Sequence, residues 1–415
     1  MDTLWKEGER IYGQIRALAG ISEPCAAGTQ RQSYSAAYRR GADFIRSCME
    51  DLGMEIREDQ AGNLFGTLRG TCPDLPAVLS GSHLDTVRCA GAFDGAAGVL
   101  CALSAARMVR GSGEPLRHSF TVVGTVGEEG TRFGKVLLGS QCMAGDFTEG
   151  MQDSLIGPED GLTMRQALQA YGLSGDLSEA AWREPVLAFL ELHGEQGPVL
   201  EETGTDLGIV ETITGIERFS ITIDGMSGHC GTVPMDRRSD AGIAAARIMV
   251  SVRDYCRRTW PDQATVTFGS LSLEPGSSNV IPGKCVFSAD LRAGEAAVLK
   301  NVCRFLKEET VRICADEGGC RPKICSLGST APVRMDPHLR ELLAESCAYL
   351  GYTCRRMNSG AGHDSMVFAS RWPTAMLFLP NAGGISHHPD EEIRPAFLQK
   401  GTEVLYRTLR QLDRE

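Results

Sequence analysis

No stretch of this chain approaches the roughly 18 to 20 consecutive apolar residues that a membrane-spanning helix needs, so no membrane partner is expected. Positive charge is also short: 42 Lys and Arg stand against 53 Asp and Glu, a net charge of −11. Non-specific nucleic-acid binding needs a basic footprint, and the sequence offers none. A small anionic substrate stays open, because one local arginine cluster can reverse the field inside a cleft. Fifteen cysteines are present, yet no Cys-x-x-Cys occurs among them and their number is odd. They read as reduced, buried, small apolar side chains, neither a disulfide framework nor a thiolate zinc site. The N-terminus, Met1 to Arg10, mixes both charge signs and lacks the apolar core of a secretory signal, so a cytoplasmic protein is expected.

What is present is length and alternation. At 415 residues the chain exceeds the size at which one core keeps growing, and two domains are expected. Helical spacing over 37–52 and 96–109 alternates with short apolar runs at 62–68, 76–80, 120–126 and 186–192. This is the grammar of an α/β domain with a largely buried sheet. Near residue 213 the pattern changes to polar–apolar alternation at 218–224, 264–272 and 284–291, with helical spacing at 239–255 and 296–315. Such strands are half-exposed and antiparallel. After residue 327 a helix at 338–350 and an apolar strand at 374–379 restore the first pattern. The expected fold is therefore an α/β domain over 1–212 and 328–415, with a mixed sheet flanked by helices, interrupted by an inserted α+β domain over 213–327.

Histidine is scarce, eight in all, and several histidines and acids stand at expected strand exits beside glycine. His83 follows one apolar run in Gly-Ser-His-Leu-Asp-Thr, and Asp94 opens a helix in Phe-Asp-Gly. Glu128 and Glu129 follow another run, His193 ends a third in Glu-Leu-His-Gly-Glu-Gln-Gly, and His387 follows the last. Strand carboxyl ends are where open α/β sheets bind ligands. Three imidazoles and two carboxylates without thiolates suit Zn, Mn or Co better than Mg or Ca. Metal pairs commonly share a carboxylate, and a tandem Glu-Glu lets one carboxylate bind metal while its neighbour handles the proton. Asp85, two residues beyond His83, is placed to orient that imidazole from behind. His118 and His338 lack such surroundings and read as ordinary structural histidines.

These motifs, with Gly228-His229-Cys230-Gly231, Ser278-Asn279-Val280-Ile281-Pro282-Gly283, Ser359-Gly360-Ala361-Gly362-His363-Asp364 and Ser386-His387, resemble the M20-type metallohydrolases. Within them the resemblance is to the hydantoinase/carbamoylase branch of N-carbamoyl-L-amino-acid hydrolases, allantoate amidohydrolases and β-ureidopropionases. It covers nearly the whole chain in order. The resemblance implies two divalent metal ions per subunit (Zn, Mn, Co or Ni), one held by His83, Asp94 and His193. The other would be held by Asp94, Glu129 and His387, with Asp94 bridging. It implies Glu128 as the general base and His229 as the lid histidine that stabilises an oxyanion, typically in a partner subunit's site. Arg218, Asn279 and Arg292 would clamp a substrate carboxylate, and Gln196 would touch substrate. The inserted domain would act as a lid and make a homodimer.

The implied activity is hydrolysis of a small ureido (N-carbamoyl) compound bearing a carboxylate, with release of ammonia and CO2. One alternative keeps the metals but cleaves peptides, as a metallo-aminopeptidase or dipeptidase; another is a non-catalytic small-molecule binding protein. The sequence departs from the family pattern at Gly127, at Arg88-Cys89-Ala90-Gly91 before the bridging Asp, and at His388, which leaves His387 or its neighbour as ligand.

Overall fold

The computed structural model describes residues 5–148 and 150–415; the first four residues of the charge-mixed N-terminus lie outside it. The chain forms two compact units. One comprises residues up to Glu211 with Met335–Met357 and Gly362–Glu415, and the other Thr212–Arg334 with Asn358–Ala361.

The first unit is built on a mixed sheet. Its four central strands, in the spatial order Phe120–Thr125, Ala77–His83, Val186–Gly194 and Thr374–Leu379, are mutually parallel. Leu64–Leu68 joins one side antiparallel, followed by Glu55–Glu58, and Leu207–Ile213 joins the other side antiparallel. Three of the parallel strands, Ala77–His83, Phe120–Thr125 and Thr374–Leu379, are buried at every position, as a sheet covered on both faces requires. The helix Ala96–Gly111 is buried nearly all round, which explains why it is assembled from Ala, Leu, Val and Gly. Because the central strands are parallel, His83 and His193 at the ends of their strands, and Glu128 just past another, emerge at one edge of the sheet.

Helices that the sequence pattern did not single out, Trp5–Ala19 and Pro395–Leu412, pack against each other and against Ala96–Gly111. Among the described residues, no helix is long and apolar enough to cross a membrane.

The second unit is an antiparallel sheet in the order Leu271–Glu274, Lys284–Ala293, Gly215–Asp224 and Arg321–Thr330, with Ala264–Thr267 also pairing to Lys284–Ala293. The alternation expected over 264–272 is thus split between two short strands. Strict alternation in Lys284–Ala293 sends Cys285, Phe287, Ala289 and Leu291 into a core with the helices Ala241–Thr259 and Ala296–Asp316. Asp240 caps the first of these helices by accepting from the N–H groups of Gly242 and Ile243. Residues 328–334, expected in the first domain, belong here. The strand Arg321–Thr330 keeps pairing with Gly215–Asp224 as far as Thr330 opposite Ile216, so the sheet holds the chain beyond the expected boundary.

Candidate metal centre

Asp94 is the hub of the site. It lies just before the helix Ala96–Gly111, on a turn where Gly95 has φ +64°. A Cβ at Gly95 would stand 2.5 Å from His83 Nδ1, so only glycine lets this turn approach the imidazole. The Asp94 carboxylate faces three rings at once: His83 Nε2 at 3.6 Å, His193 Nε2 at 3.1 Å and His387 Nε2 at 3.0 Å. His387 Nε2 also lies 3.5 Å from Glu129 Oε1. Three groups of possible ligand atoms fall within 4.8 Å of one another: His83, Asp94 and His193; Asp94, Glu129 and His387; and His83, Glu128 and Glu129.

The imidazoles are oriented from behind. His83 Nδ1 donates to the Asp85 carbonyl at 2.9 Å and His193 Nδ1 to the Gly194 carbonyl at 3.0 Å, which turns both Nε2 atoms toward Asp94. Asp85 stands behind His83, as expected, but through its backbone. Its backbone carbonyl orients His83, whereas its carboxylate, 3.9 Å from Nδ1, instead accepts the N–H groups of Gly127, Glu128 and Glu129 at 2.8, 3.2 and 3.3 Å. Asp85 thereby holds the loop that presents both glutamates. The fully buried Arg31 supports the same turn from below, donating through Nε to the Leu84 carbonyl at 2.8 Å.

The electrostatics describe a buried cluster of carboxylates and imidazoles that shift one another strongly. Burial pushes Glu128 well above the usual carboxylate range; His83 opposes that rise, while Glu129, Asp364 and Asp85 reinforce it. Burial and the nearby Asp94 raise Glu129 to about 8. Burial alone would raise Asp94 too, but the His193, His387 and His83 imidazoles that face its carboxylate hold it well below the ordinary value. His387 is pushed up to about 9, chiefly by Asp94. Glu129 Oε1 and His193 Nε2 are buried with no hydrogen-bond partner; Asp94 lies near His193 Nε2 without hydrogen-bond alignment. Unsatisfied acceptor and imidazole atoms converging on one hollow are what divalent cations would complete, so the residues present fit the implied metals.

Gln196 belongs to this cluster, with Nε2 3.3 Å from each Asp94 oxygen and a left-handed backbone at φ +57°. Of the adjacent histidines, the fold brings His387 to the cluster, its Nε2 facing Asp94 and Glu129, whereas His388 Nδ1 accepts the Asp390 N–H at 3.2 Å. His118 is buried on the Pro76 carbonyl and His338 pairs with Glu415, away from the cluster.

Arg218, His229, Asn279 and Arg292 lie in the second unit and form two pairs. Arg218 and Arg292 share Asp290, Arg218 Nε lying 2.9 Å from Oδ2 and Arg292 Nε 2.8 Å from Oδ1. Asp290 sits directly across the sheet from Arg218. His229 pairs with Val280 in a two-residue ladder, and the Asn279 carbonyl accepts the Cys230 N–H at 3.2 Å, so His229 and Asn279 are neighbours.

Four buried residues of the first unit received no role from the sequence reading, although three of them stand within the motifs it quotes. Glu191 accepts from the Ser82 hydroxyl and from the Ser365 N–H and hydroxyl, bracing the strands that carry His83 and His193. His363 packs its ring 4.4 Å from His193, and Asp364, which accepts from Thr125, is raised by burial to about 6. Glu391 is the fourth. The Gly-His-Asp motif at 362–364 was the available signal for two of them.

Residues 79–411 match the peptidase family M20/M25/M40. The chain is 37% identical over 410 residues to an N-carbamoyl-L-amino-acid amidohydrolase of Paenarthrobacter aurescens, covering 98% of each chain. It is 34% identical over 404 residues to an allantoate amidohydrolase of Bacillus subtilis (strain 168), covering 96% of this chain and 97% of that one. A crystal structure of an amidase of the hydantoinase/carbamoylase family from Burkholderia multivorans superposes with a TM-score of 0.93 at 32% identity, covering 98% of both chains. The resemblance carried by the motifs is borne out, and this chain belongs to the M20/M25/M40 family.

Proposed function

We propose that the protein is a binuclear metal-dependent amidohydrolase. In this reading it hydrolyses the ureido group of a small carboxylate-bearing substrate, such as an N-carbamoyl-L-amino acid or allantoate, to an amine, ammonia and CO2. The observation that carries the reading is one carboxylate, Asp94, common to two groups of candidate ligands, with the buried Glu128 alongside. Relatives named for exactly these two substrate types, similar over nearly the full chain, support the substrate class.

His83, Asp94 and His193 would hold one cation, and Asp94, Glu129 and His387 the other, with Zn, Mn, Co or Ni compatible with the donors. When bound, such a pair supplies Lewis-acid polarisation and a water ionised near neutral pH, which a ureido carbonyl requires because two nitrogens donate into it. Glu128 takes the proton from the attacking water and returns it to the leaving nitrogen. His229 donates to the oxygen that gains charge, and its Nδ1, which accepts the Gly231 N–H at 3.1 Å, leaves Nε2 to carry the donated proton. Arg218, Asn279 and Arg292 bind the substrate carboxylate, for which guanidinium forks are suited. Gln196 contacts substrate beside Asp94.

We further propose a cytoplasmic homodimer formed through the second unit. Eight of the eleven exposed large apolar side chains described, Ile243, Val250, Leu271 and Leu273 among them, lie in that unit.

The test is hydrolysis of N-carbamoyl amino acids, allantoate and ureidopropionate side by side, before chelation, after it, and after Mn or Zn is restored, with dipeptides as controls. Turnover of one ureido substrate that vanishes on chelation and returns with metal is expected. Activity on dipeptides alone, or full activity after exhaustive chelation, overturns the proposal.

A further inference from the structure

Glu391 has no part in the steps above, yet it is among the most tightly engaged acids of the first unit. It follows His388-Pro389-Asp390 and is followed by Glu392, a setting that reads as a solvated acidic turn. In the fold it is 2% exposed. One carboxylate oxygen, Oε2, accepts the backbone N–H groups of Phe93 and Asp94, both at 3.0 Å. The other, Oε1, accepts the Ser386 hydroxyl at 2.8 Å. A single side chain thus joins the turn that carries Asp94 to the segment that carries His387, nearly 300 residues later in the chain.

Both segments need such a tie. His387 is the most exposed of the five candidate ligands, and its backbone sits at φ +54°, a left-handed conformation that costs a non-glycine residue of order 1 kcal/mol or more and persists only where surroundings enforce it. The N–H groups of Phe93 and Asp94 lie before the helix, outside its hydrogen-bond ladder, and buried N–H groups need an acceptor. The local sequence accommodates the carboxylate: a Cβ at Gly91 would lie 2.2 Å from Glu391 Cβ and 2.3 Å from its Oε2, so any other residue at 91 would expel it.

We infer that Glu391 is a positioning residue that locks the bridging carboxylate and the His387 imidazole into one geometry, so that the Asp94–Glu129–His387 site is preorganised for its cation. The inference rests on the proposed ligand set. Its consequence is selective: the site that includes His387 depends on both halves of the tie, whereas His83 and His193 are fixed by their own strand ends and carbonyls.

Metal binding to the purified full-length protein, read by calorimetric titration of the chelated form with Mn and by metal analysis after dialysis, tests it. Wild type is expected to take up two equivalents. Glu391→Ala should weaken the second equivalent by about tenfold or more, the usual effect of removing a group that orients a ligand, and weaken the first less. Ser386→Ala, which cuts only the His387 half, should weaken the second equivalent and leave the first unchanged. Glu391→Gln should restore most of the affinity, because its amide oxygen can accept the same two N–H groups while its NH2 donates to Ser386 Oγ. Unchanged affinities in Glu391→Ala, or equal loss of both equivalents without rescue by Gln, overturn the inference. Fewer than two equivalents in the wild type would instead overturn the ligand set beneath it.

Discussion

At the scale of single residues, Glu128 and Glu129 are neighbours whose surroundings divide their labour. Glu129 Oε1 lies within 3.5 Å of His387 Nε2 and is buried without a hydrogen-bond partner, as a metal ligand would be. Glu128 is buried beside His83 and shares the Asp85 anchor through its backbone, which suits a group that moves a proton. Glu128→Gln keeps the shape and removes the base. Turnover should fall on the order of 10²- to 10⁴-fold, while metal content measured on the same sample stays at the wild-type level. Retained turnover would assign the base elsewhere. The glutamate pair and the histidines were legible in the sequence because glycine at strand exits is an unusual setting for them. Glu391 and Glu191 were not. An acid within Pro-Asp-Glu-Glu or along an apolar strand reveals its partners only when distant backbone N–H groups and serine hydroxyls arrive in three dimensions.

At the scale of elements, the site is assembled from loops held by buried polar groups. The loop between the strands Glu55–Glu58 and Leu64–Leu68 shows how far this reaches. Asp59 accepts the N–H groups of Ala61 and Asn63, each at 2.9 Å, and the Asn63 side-chain amide at 2.8 Å. Asn63 in turn donates to the Gly139 carbonyl and accepts from Val126 N–H, bracketing the segment that carries Glu128 and Glu129. Burial is the largest influence on Asp59 and raises it from 3.8 to about 6 despite these hydrogen bonds. The folded chain therefore binds this proton more tightly than the unfolded chain. The associated stability is fully present below the unfolded value and is lost as pH rises through about 6. Asp59→Asn removes that dependence. Denaturant unfolding of both proteins from pH 4 to 7 should show the variant gaining on wild type as pH rises; a constant difference across the range would refute the assignment. Strand and helix periodicity revealed most of the elements around these loops. The edge strand Arg321–Thr330 was obscured because it carries Pro322 and Gly328 and buries little, so nothing forces alternation upon it.

At the scale of the whole molecule, the second unit exposes several large apolar side chains. The strand Leu271–Glu274 is, among the described residues, an edge strand exposed along its whole length, and Leu271 and Leu273 are 53% and 39% exposed. The helix Ala241–Thr259 starts beside it, since a Cβ at Gly242 would lie 3.4 Å from Leu273 Cδ2, and it presents Ile243 and Val250, each 50% exposed. An open strand edge with an adjoining apolar helix face invites a two-fold partner that extends the sheet. Light scattering should therefore report a dimer, and Ile243→Glu combined with Leu273→Glu should shift it toward monomer without lowering metal uptake. If His229 serves the partner's site, turnover should fall with the dimer. The decisive experiment mixes two inactive proteins, His229→Ala and Glu128→Gln, under conditions that allow subunit exchange. Half the dimers are then hybrids, and in each hybrid one site combines an intact Glu128 with the partner's intact histidine, so about a quarter of wild-type activity should return. No recovery from a mixture shown to exchange subunits would place His229 in its own chain's site or outside the reaction.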